Sequence, residues 1–281
     1  MSNFKKEIKI LFFGDLVGKI ARKGVANYLQ ELRNTNNYPD FIIANVENAS
    51  HGFGLTEKNY NELSDIGIDC FTSGNHIWDK KEIFNYIDSA DKLIRPINYP
   101  TNTPGVGVRI FEKADLKFAV INALGRVFMP PIDSPLEMIQ KEIERIKEIT
   151  PYIIIDFHAE ATAEKMCTAR YLSEYGVTMF VGTHTHVQTA DEKIMNNMAY
   201  ITDVGFCGSY DSIIGMEYLT SLKRLTTLLP ERYEVAVNPP CVINAVEISI
   251  VDETVTAIKR INVNVDMNDK ELEVNVENNS V

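Results

Sequence analysis

Short apolar segments recur along most of this chain and alternate with longer amphipathic segments, a pattern that restricts the fold to the α/β class. The apolar segments are rich in Ile, Val and Phe and mostly lack polar–apolar alternation, as expected for strands buried on both faces. They predict strands at Ile8–Phe13, Asp40–Val46, Asp69–Ser73, Arg109–Phe111, Phe118–Asn122, Tyr152–Phe157, Thr178–Gly182, Ala199–Asp203, Ala245–Val251 and Thr254–Ile261. The alternation predicts a largely parallel inner sheet with helices outside.

The amphipathic segments carry apolar side chains at helical spacing. One predicted helical face contains Val25 and Leu29. Another contains Ile139 and Ile143 and follows Ser134-Pro135, which suits an N-cap and a first helical turn. Two further helices are predicted from Tyr60, Leu63, Phe84 and Ile87.

The later part of the chain has a different pattern, which changes the expected architecture. Residues 109–124 and 245–263 predict antiparallel hairpins, the second of which turns near Asp252-Glu253. We therefore expect a mixed α/β sandwich of two sheets flanked by helices rather than one doubly wound sheet. A single domain is expected over residues 1–265, followed by a frayed tail at 266–281 that is rich in Asp, Glu and Asn.

Charge and cysteine content restrict the class of partner and the compartment. The chain has 28 Lys and Arg against 39 Asp and Glu, a formal net charge of −11. Such an acidic chain is a poor general binder of nucleic-acid backbone or anionic lipid, so we expect neither a stable nucleic-acid partner nor a membrane. The 4 cysteines form no C-x-x-C pair, and no apolar run approaches the ~20 residues of a membrane span. These features predict a reduced, cytoplasmic protein.

Side chains of the types that bind metal ions directly follow several predicted strands. Of the 5 histidines, all except His51 stand in these positions. The carboxyl ends of parallel strands meet at one edge of a sheet, where ligands bind in α/β proteins. The groups at this edge are Asp15, Glu47-Asn48, Asn75-His76, His158 and Thr183-His184-Thr185-His186.

Each of these groups alone has an ordinary structural interpretation. An Asp after a strand commonly caps a helix or closes a turn, and a single buried histidine such as His158 is commonly a satisfied core residue. His184-x-His186 is more specific, because side chains two residues apart in extended backbone point the same way. The coincidence of all the groups on one edge favours a metal site. His51 lies in a glycine-containing loop, where a surface histidine is favoured over a substrate contact.

The ordered motifs Gly14-Asp15, Gly74-Asn75-His76 and Gly182-Thr183-His184-Thr185-His186 resemble those of the calcineurin-like metallophosphoesterases. The similarity is greater to one branch, the YmdB-like bacterial phosphodiesterases, and extends from about Lys9 to about Val263. Val17 stands where the superfamily usually has histidine, and Glu47-Asn48 replaces its bridging aspartate. The YmdB-like branch shares both departures. The resemblance implies a four-layer α/β/β/α sandwich.

The resemblance also implies roles for individual residues. One metal ion would be held by Asp15, Glu47, Asn48 and His186. A second would be held by Glu47, Asn75, His158 and His184, so that Glu47 bridges the two ions. His76 would remain unliganded, face the substrate and act as a general acid.

The expected activity is hydrolysis of small phosphodiesters, with cyclic nucleotides such as 2′,3′- or 3′,5′-cAMP implied by the resemblance. Two metal ions ~3.5–4 Å apart suit this reaction because they neutralise the anion and activate water. Mixed nitrogen and oxygen ligands without thiolate suit iron or manganese, with zinc possible, and iron is the expectation in the family. The resemblance also implies a homo-oligomer.

Two alternative functions remain open at this point. The first is a phosphomonoesterase, such as a nucleotidase, on the same scaffold, because the metal ligands alone do not distinguish monoesters from diesters. The second is a non-catalytic regulator that binds metal and nucleotide. The complete set of ligand types together with His76 argues against the second alternative.

Overall fold

Two six-stranded β-sheets form the centre of the molecule. The computed structural model describes residues 7–267. The strand order is β12-β11-β10-β1-β2-β3 in the first sheet and β4-β5-β6-β7-β9-β8 in the second. The strands are β1 (Glu7–Leu16), β2 (Phe41–Asn45), β3 (Cys70–Thr72), β4 (Val108–Lys113), β5 (Leu116–Leu124), β6 (Tyr152–His158), β7 (Met179–Thr183), β8 (Lys193–Met195), β9 (Met198–Ile201), β10 (Phe206–Ser209), β11 (Cys241–Val251) and β12 (Thr254–Val265).

All the predicted strands are present, with small shifts at their ends, and two short strands were missed. The missed strands are β8 and β10. The two predicted hairpins are confirmed as antiparallel pairs, β4 with β5 and β11 with β12. The second hairpin turns at Asp252 and Glu253, whose φ angles of 49° and 62° lie in the left-handed region.

Helices cover the outer faces of both sheets. The α-helices are α1 (Gly18–Asn34), α2 (Glu57–Asp65), α3 (Pro135–Ile146), α4 (Thr162–Leu172) and α5 (Tyr218–Thr227), and short 3₁₀ helices occupy Asn75–Asp79, Lys81–Asn85 and Ser173–Tyr175. Helices α1, α2 and α3 are confirmed, and Ser134 and Pro135 occupy the predicted N-cap and first position of α3. The helix predicted at Phe84 and Ile87 was wrong in type, because Phe84 lies in a 3₁₀ turn and Ile87 follows it.

Three apolar clusters hold these layers together. The central cluster lies between the sheets, where the rings of Phe41 and Phe118 stack with centroids 4.4 Å apart. One outer cluster packs α1 and α2 on the first sheet, and the other packs α3 and α4 on the second sheet. The expected four-layer α/β/β/α sandwich is therefore confirmed.

The parallel strands of both sheets end at the same edge of the sandwich. In the first sheet, β1, β2 and β3 run parallel. In the second, β5, β6, β7 and β9 do so. Each strand is followed by a loop at its carboxyl end, so polar residues after different strands can meet there.

The described part of the chain ends in contact with the apolar core. Met267, the last described residue, is 7% exposed and packs in the cluster with α1. The rest of the predicted acidic tail lies outside the described residues.

Among the helices of residues 7–267, none has the length and apolarity needed to cross a membrane.

Candidate metal centre

The structure brings the predicted ligand residues together at the shared carboxyl edge of the two sheets. Asp15 lies near the end of β1 and His158 ends β6, so each comes from a different sheet. The remaining candidates follow β2, β3 and β7. Asn75 begins the 3₁₀ helix Asn75–Asp79, and the others lie in loops or turns: Glu47, Asn48, His184 and His186. Their meeting at one edge is as predicted, whereas the metal-ligand roles remain predictions.

Asp15 and His186 form one half of the cluster. The Asp15 Oδ1 atom lies 3.6 Å from the His186 Nε2 atom. The backbone N–H of His184 donates to Asp15 Oδ2 over 3.2 Å, which fixes the carboxylate. On the far side of its ring, His186 Nδ1 lies 2.9 Å from the carbonyl oxygen of Ile214. That carbonyl can only accept, so Nδ1 carries the proton and Nε2 is left to face Asp15.

Glu47, His158 and His184 form the other half. Glu47 Oε1 lies 2.9 Å from His158 Nε2, which in turn lies 3.0 Å from His184 Nδ1. One potential ligand atom from each of the three residues lies within 4.8 Å of the other two. This geometry suits a single cation bound by two imidazoles and a carboxylate.

Hydrogen bonds behind the two imidazoles select the nitrogen atoms that face the cluster. His158 Nδ1 lies 2.9 Å from Thr183 Oγ1, and Thr183 donates its own proton to Asp156 over 2.8 Å. His184 Nε2 lies 3.2 Å from Glu160. Carboxylates and hydroxyls in these positions fix the tautomer and orientation of metal-binding histidines. Sequence reasoning assigned no role to Glu160 or Asp156, although both stand within two residues of His158.

Three of the predicted ligand oxygens have no hydrogen-bond partner in residues 7–267. They are Asp15 Oδ1, Asn48 Oδ1 and Asn75 Oδ1, and all are buried. The Asn48 amide is oriented by donation of its Nδ2 to the carbonyl of Gly52 over 2.8 Å. Buried oxygens without a partner are uncommon and costly, and a bound cation satisfies them. The residues present therefore fit a metal site.

Mutual electrostatics set the protonation states of the cluster. Burial alone would raise the pKa of Asp15, but His186 and His158 outweigh it and hold that pKa well below its usual range. Burial would lower the pKa of His158, but Glu47 beside it raises the value to about 9. Burial, reinforced by His158, lowers the pKa of His184 to about 3. His184 is therefore neutral at physiological pH, whereas His158 must release a proton to bind a metal.

Gly74 provides the space in which this cluster forms. A Cβ atom at this position would lie 2.3 Å from His158 Nε2 and 2.6 Å from a Glu47 carboxylate oxygen. Any larger residue would therefore displace two of the candidate ligands.

The loop that carries His184 and His186 is held in an unusual backbone conformation. Both residues have left-handed φ angles, 97° and 62°. Asp203 anchors the loop by accepting hydrogen bonds from the backbone N–H and the hydroxyl of Thr185, over 3.1 and 2.7 Å. The fully buried Asp203 is itself paired with Lys165, which is 1% exposed, over 2.6 Å. Strained backbone of this kind persists only where its surroundings impose it, and it clusters at functional sites.

The variant Asp203→Asn is expected to weaken metal binding about 10–100-fold and to lower the free energy of unfolding by about 3–5 kcal/mol. The second effect arises because the charge of Lys165 loses its buried partner. The double variant Asp203→Asn/Lys165→Met removes that unpaired charge and should recover most of the stability. Metal titration by calorimetry, combined with chemical denaturation, separates the two roles. Full recovery of metal affinity in the double variant would show that Asp203 does not position the histidines.

His76 lies beside the cluster with its imidazole in a different environment. Its backbone N–H donates to Glu47 Oε2 over 2.8 Å, and its Nδ1 atom lies 2.8 Å from Asp79 in the same 3₁₀ helix. The side chain is 32% exposed and packs against the ring of Phe53 at 4.9 Å. Asp79 was missed by sequence reasoning, although an acidic residue three positions after a histidine in a helical turn was an available signal.

His51 is an exposed residue between the buried Ser50 and Gly52, has a φ angle of 57°, and is not among the residues that line the cleft beside the cluster. Burial, followed by the nearby charges of Lys80, Arg22 and Arg232, lowers the pKa of His51. The surface position is the one favoured from the sequence.

The sandwich and its ligand edge have the features of the metallophosphoesterase class that the motifs predicted. Residues 11–262 match the sequence profile described as YmdB-like protein. The chain belongs to the YmdB-like family.

Curated relatives and solved structures agree with this family. The chain is 47% identical over 253 residues to a Bacillus subtilis protein named 2′,3′-cyclic-nucleotide 2′-phosphodiesterase, covering 90% of this chain and 95% of that protein. A Mycoplasma pneumoniae protein named putative phosphatase/phosphodiesterase is 35% identical, with 82% and 83% covered. A crystal structure of a hypothetical protein from Thermus thermophilus superposes with a TM-score of 0.85 at 35% identity, covering 92% of this chain and 99% of that one.

Proposed function

We propose that this protein is a metal-dependent phosphodiesterase that hydrolyses small phosphodiesters, including cyclic nucleotides such as 2′,3′- or 3′,5′-cAMP. The observation that carries the proposal is the buried cluster of Glu47, His158 and His184 beside Asp15 and His186. The printed name of the Bacillus subtilis relative supports the substrate class.

The cluster is proposed to hold two metal ions. One would be bound by Asp15, Asn48 and His186, the other by Asn75, His158 and His184, with Glu47 bridging. Iron is the proposed metal, with manganese or zinc as alternatives, because the donors are nitrogen and oxygen without thiolate. When bound, such ions supply a Lewis acid for the phosphoryl oxygens and an activated water.

His76 is proposed as the general acid that protonates the departing alkoxide oxygen. Asp79 accepts from His76 Nδ1, which orients the ring and leaves Nε2 as the proton donor. The side chain lines the same cleft as Glu47, His184 and His186, which supports a position beside a phosphodiester bound at the cluster. The packing of Phe53 against the imidazole restrains the ring further.

A comparison of bis(p-nitrophenyl) phosphate with p-nitrophenyl phosphate tests the reaction class, with added Mn²⁺ and a chelator control. We expect chelator-sensitive cleavage of the diester and little cleavage of the monoester. A faster reaction with the monoester would favour the phosphatase alternative, which the names of the Mycoplasma relatives also contain. If the protein binds metal but hydrolyses neither these esters nor cyclic nucleotides, the result contradicts the proposal and favours the binding-protein alternative.

We further propose a cytoplasmic location and a homo-oligomeric state, with residues 1–265 acting as one domain. Free cysteines at all four positions accord with a reducing compartment. The oligomeric state is supported by the family resemblance, and light scattering would test it.

A further inference from the structure

The cleft beside the metal centre has an apolar half that neither the candidate ligands nor His76 uses. The cleft has a volume of about 480 Å³. Candidate metal ligands and His76 line one half, and the other half is lined by Phe53, Ile213, Met216, Leu225 and Tyr233. A strongly polar site that continues into an apolar wall suits a ligand with one charged end and one flat, apolar end.

We propose that this apolar half binds the nucleobase of the substrate while the phosphodiester occupies the metal centre. The inference rests on the proposed phosphodiesterase function and adds to it a recognition site outside the reacting groups. A nucleoside phosphate has the required combination of an anionic end and an aromatic end, and a cleft of this volume is large enough for one nucleotide.

The aromatic surface begins directly beside the proposed general acid. The ring of Phe53 lies 4.9 Å from the His76 imidazole on one side and 6.4 Å from the Tyr233 ring on the other. The guanidinium of Arg224 packs over Tyr233 at 4.3 Å and donates to the backbone carbonyl of Glu231, so the tyrosine is held in place. Bases pack on such rings with little dependence on sequence.

Ser221 supplies a polar group at the same wall. It lines the cleft and is 6% exposed, and its Oγ atom has no hydrogen-bond partner in the described part of the chain. A buried hydroxyl without a partner is costly in the free protein. A nucleobase edge carries both donors and acceptors and would satisfy it.

Two backbone hydrogen bonds join the two ends of the segment that carries this wall, on either side of α5. The Glu217 N–H donates to the carbonyl of Glu234 over 2.8 Å, and the Ala236 N–H donates to the carbonyl of Gly215 over 3.0 Å. These bonds close the segment at its base. The Ile214 carbonyl, which lies 2.9 Å from His186 Nδ1, connects the segment to the metal centre.

Helix α5 offers a matched pair of variants to test the site. Leu225 and Leu219 are 76% and 72% exposed, but only Leu225 lines the cleft. The metal-loaded enzyme is assayed with adenosine 2′,3′-cyclic phosphate and with methyl riboside 2′,3′-cyclic phosphate, which has the same diester and no base. Tyr233→Ala and Leu225→Ala are expected to raise KM for the adenosine substrate about 5- to 100-fold and to change the base-free reaction less than about twofold. Leu219→Ala should leave both reactions unchanged.

Ser221→Ala provides a second, independent measurement. We expect kcat/KM for the adenosine substrate to fall about 3- to 10-fold, the effect of one hydrogen bond, with the base-free reaction unchanged. Thermal stability should stay the same or increase, because the substitution removes an unsatisfied buried hydroxyl. A loss that is equal on both substrates would show that Ser221 does not contact the base.

The outcomes separate this inference from the proposed function. Equal rates on the two substrates, unaffected by Tyr233→Ala and Leu225→Ala, would overturn the base site and leave the phosphodiesterase proposal intact. A change of oligomeric state in Leu225→Ala with unchanged KM would assign the wall to a contact between copies and also overturn it. If no diester is hydrolysed, equilibrium dialysis with adenosine decides: binding that Tyr233→Ala abolishes supports the base site, and absence of binding overturns it.

Discussion

Replacing Glu47 with alanine is expected to reduce the bound metal from two ions per chain to one or none and to lower kcat/KM at least about 10³-fold. Glu47 is the proposed bridging ligand, and its carboxylate contacts both His158 and the backbone of His76. Its loss removes a ligand from each proposed site at once. Elemental analysis of the purified variant after dialysis, together with the rate of diester hydrolysis, measures both effects.

A matched control for this variant is Glu112→Ala. Glu112 lies on β4 and is 72% exposed in a surface ion pair, so its removal should change neither metal content nor rate. Two fully occupied metal sites in a folded Glu47→Ala protein would contradict the bridging role.

The variant His76→Ala is expected to keep both metal ions and to lose about 10²–10⁴ in kcat. The metal content is retained because His76 contributes only its backbone N–H to the cluster, and alanine keeps that group. Asp79→Asn should also lower kcat, since it weakens the hydrogen bond that orients the His76 imidazole. Metal analysis and steady-state kinetics on the same preparations distinguish these effects.

His51→Ala is the matched histidine control for that experiment. The His51 residue is exposed and does not line the cleft, so we expect unchanged kcat and KM. Loss of metal from His76→Ala would make His76 a ligand and contradict its role as a proton donor. A raised KM in His51→Ala would instead support the alternative, stated from the sequence, that His51 contacts the substrate.

The elements of the fold that could be predicted are those whose own sequence shows which of their residues are buried. Strand β6 is apolar at five of its seven positions and buried along its whole length, so a local pattern identifies it. Strand β10 is only Phe206–Ser209 and contains Gly208 and Ser209, which weaken any strand signal. Helix α4 was missed because its buried positions include Lys165 and Thr168, so its inner face does not look apolar. Long-range contacts stabilise both elements, since β10 pairs with β1 and β11, and Lys165 of α4 pairs with Asp203.

In the candidate site, too, some residues could be predicted from local sequence and others depend on contacts between distant segments. The candidate ligands could be found because each follows a strand directly, and the α/β alternation predicts where such positions meet. The residues that support them depend on contacts between segments far apart in the chain, such as Lys165 with Asp203 and Thr183 with Asp156. No local pattern in the sequence encodes those pairings. The unpartnered Ser221 hydroxyl is likewise visible only after folding.

The candidate ligands lie at the carboxyl ends of strands from both sheets: Asp15 and Glu47 at the ends of β1 and β2 in the first, and His158, His184 and His186 at the ends of β6 and β7 in the second. The spacing between carboxylates and imidazoles therefore depends on how far apart the sheets are held, which is set by the apolar layer around Phe41 and Phe118. A substitution in that layer, remote from any reacting atom, changes the ligand geometry as a whole. We expect catalysis to be less tolerant of such changes than folding is. Metal ions bound between residues of the two sheets would in turn stabilise the folded sandwich against unfolding.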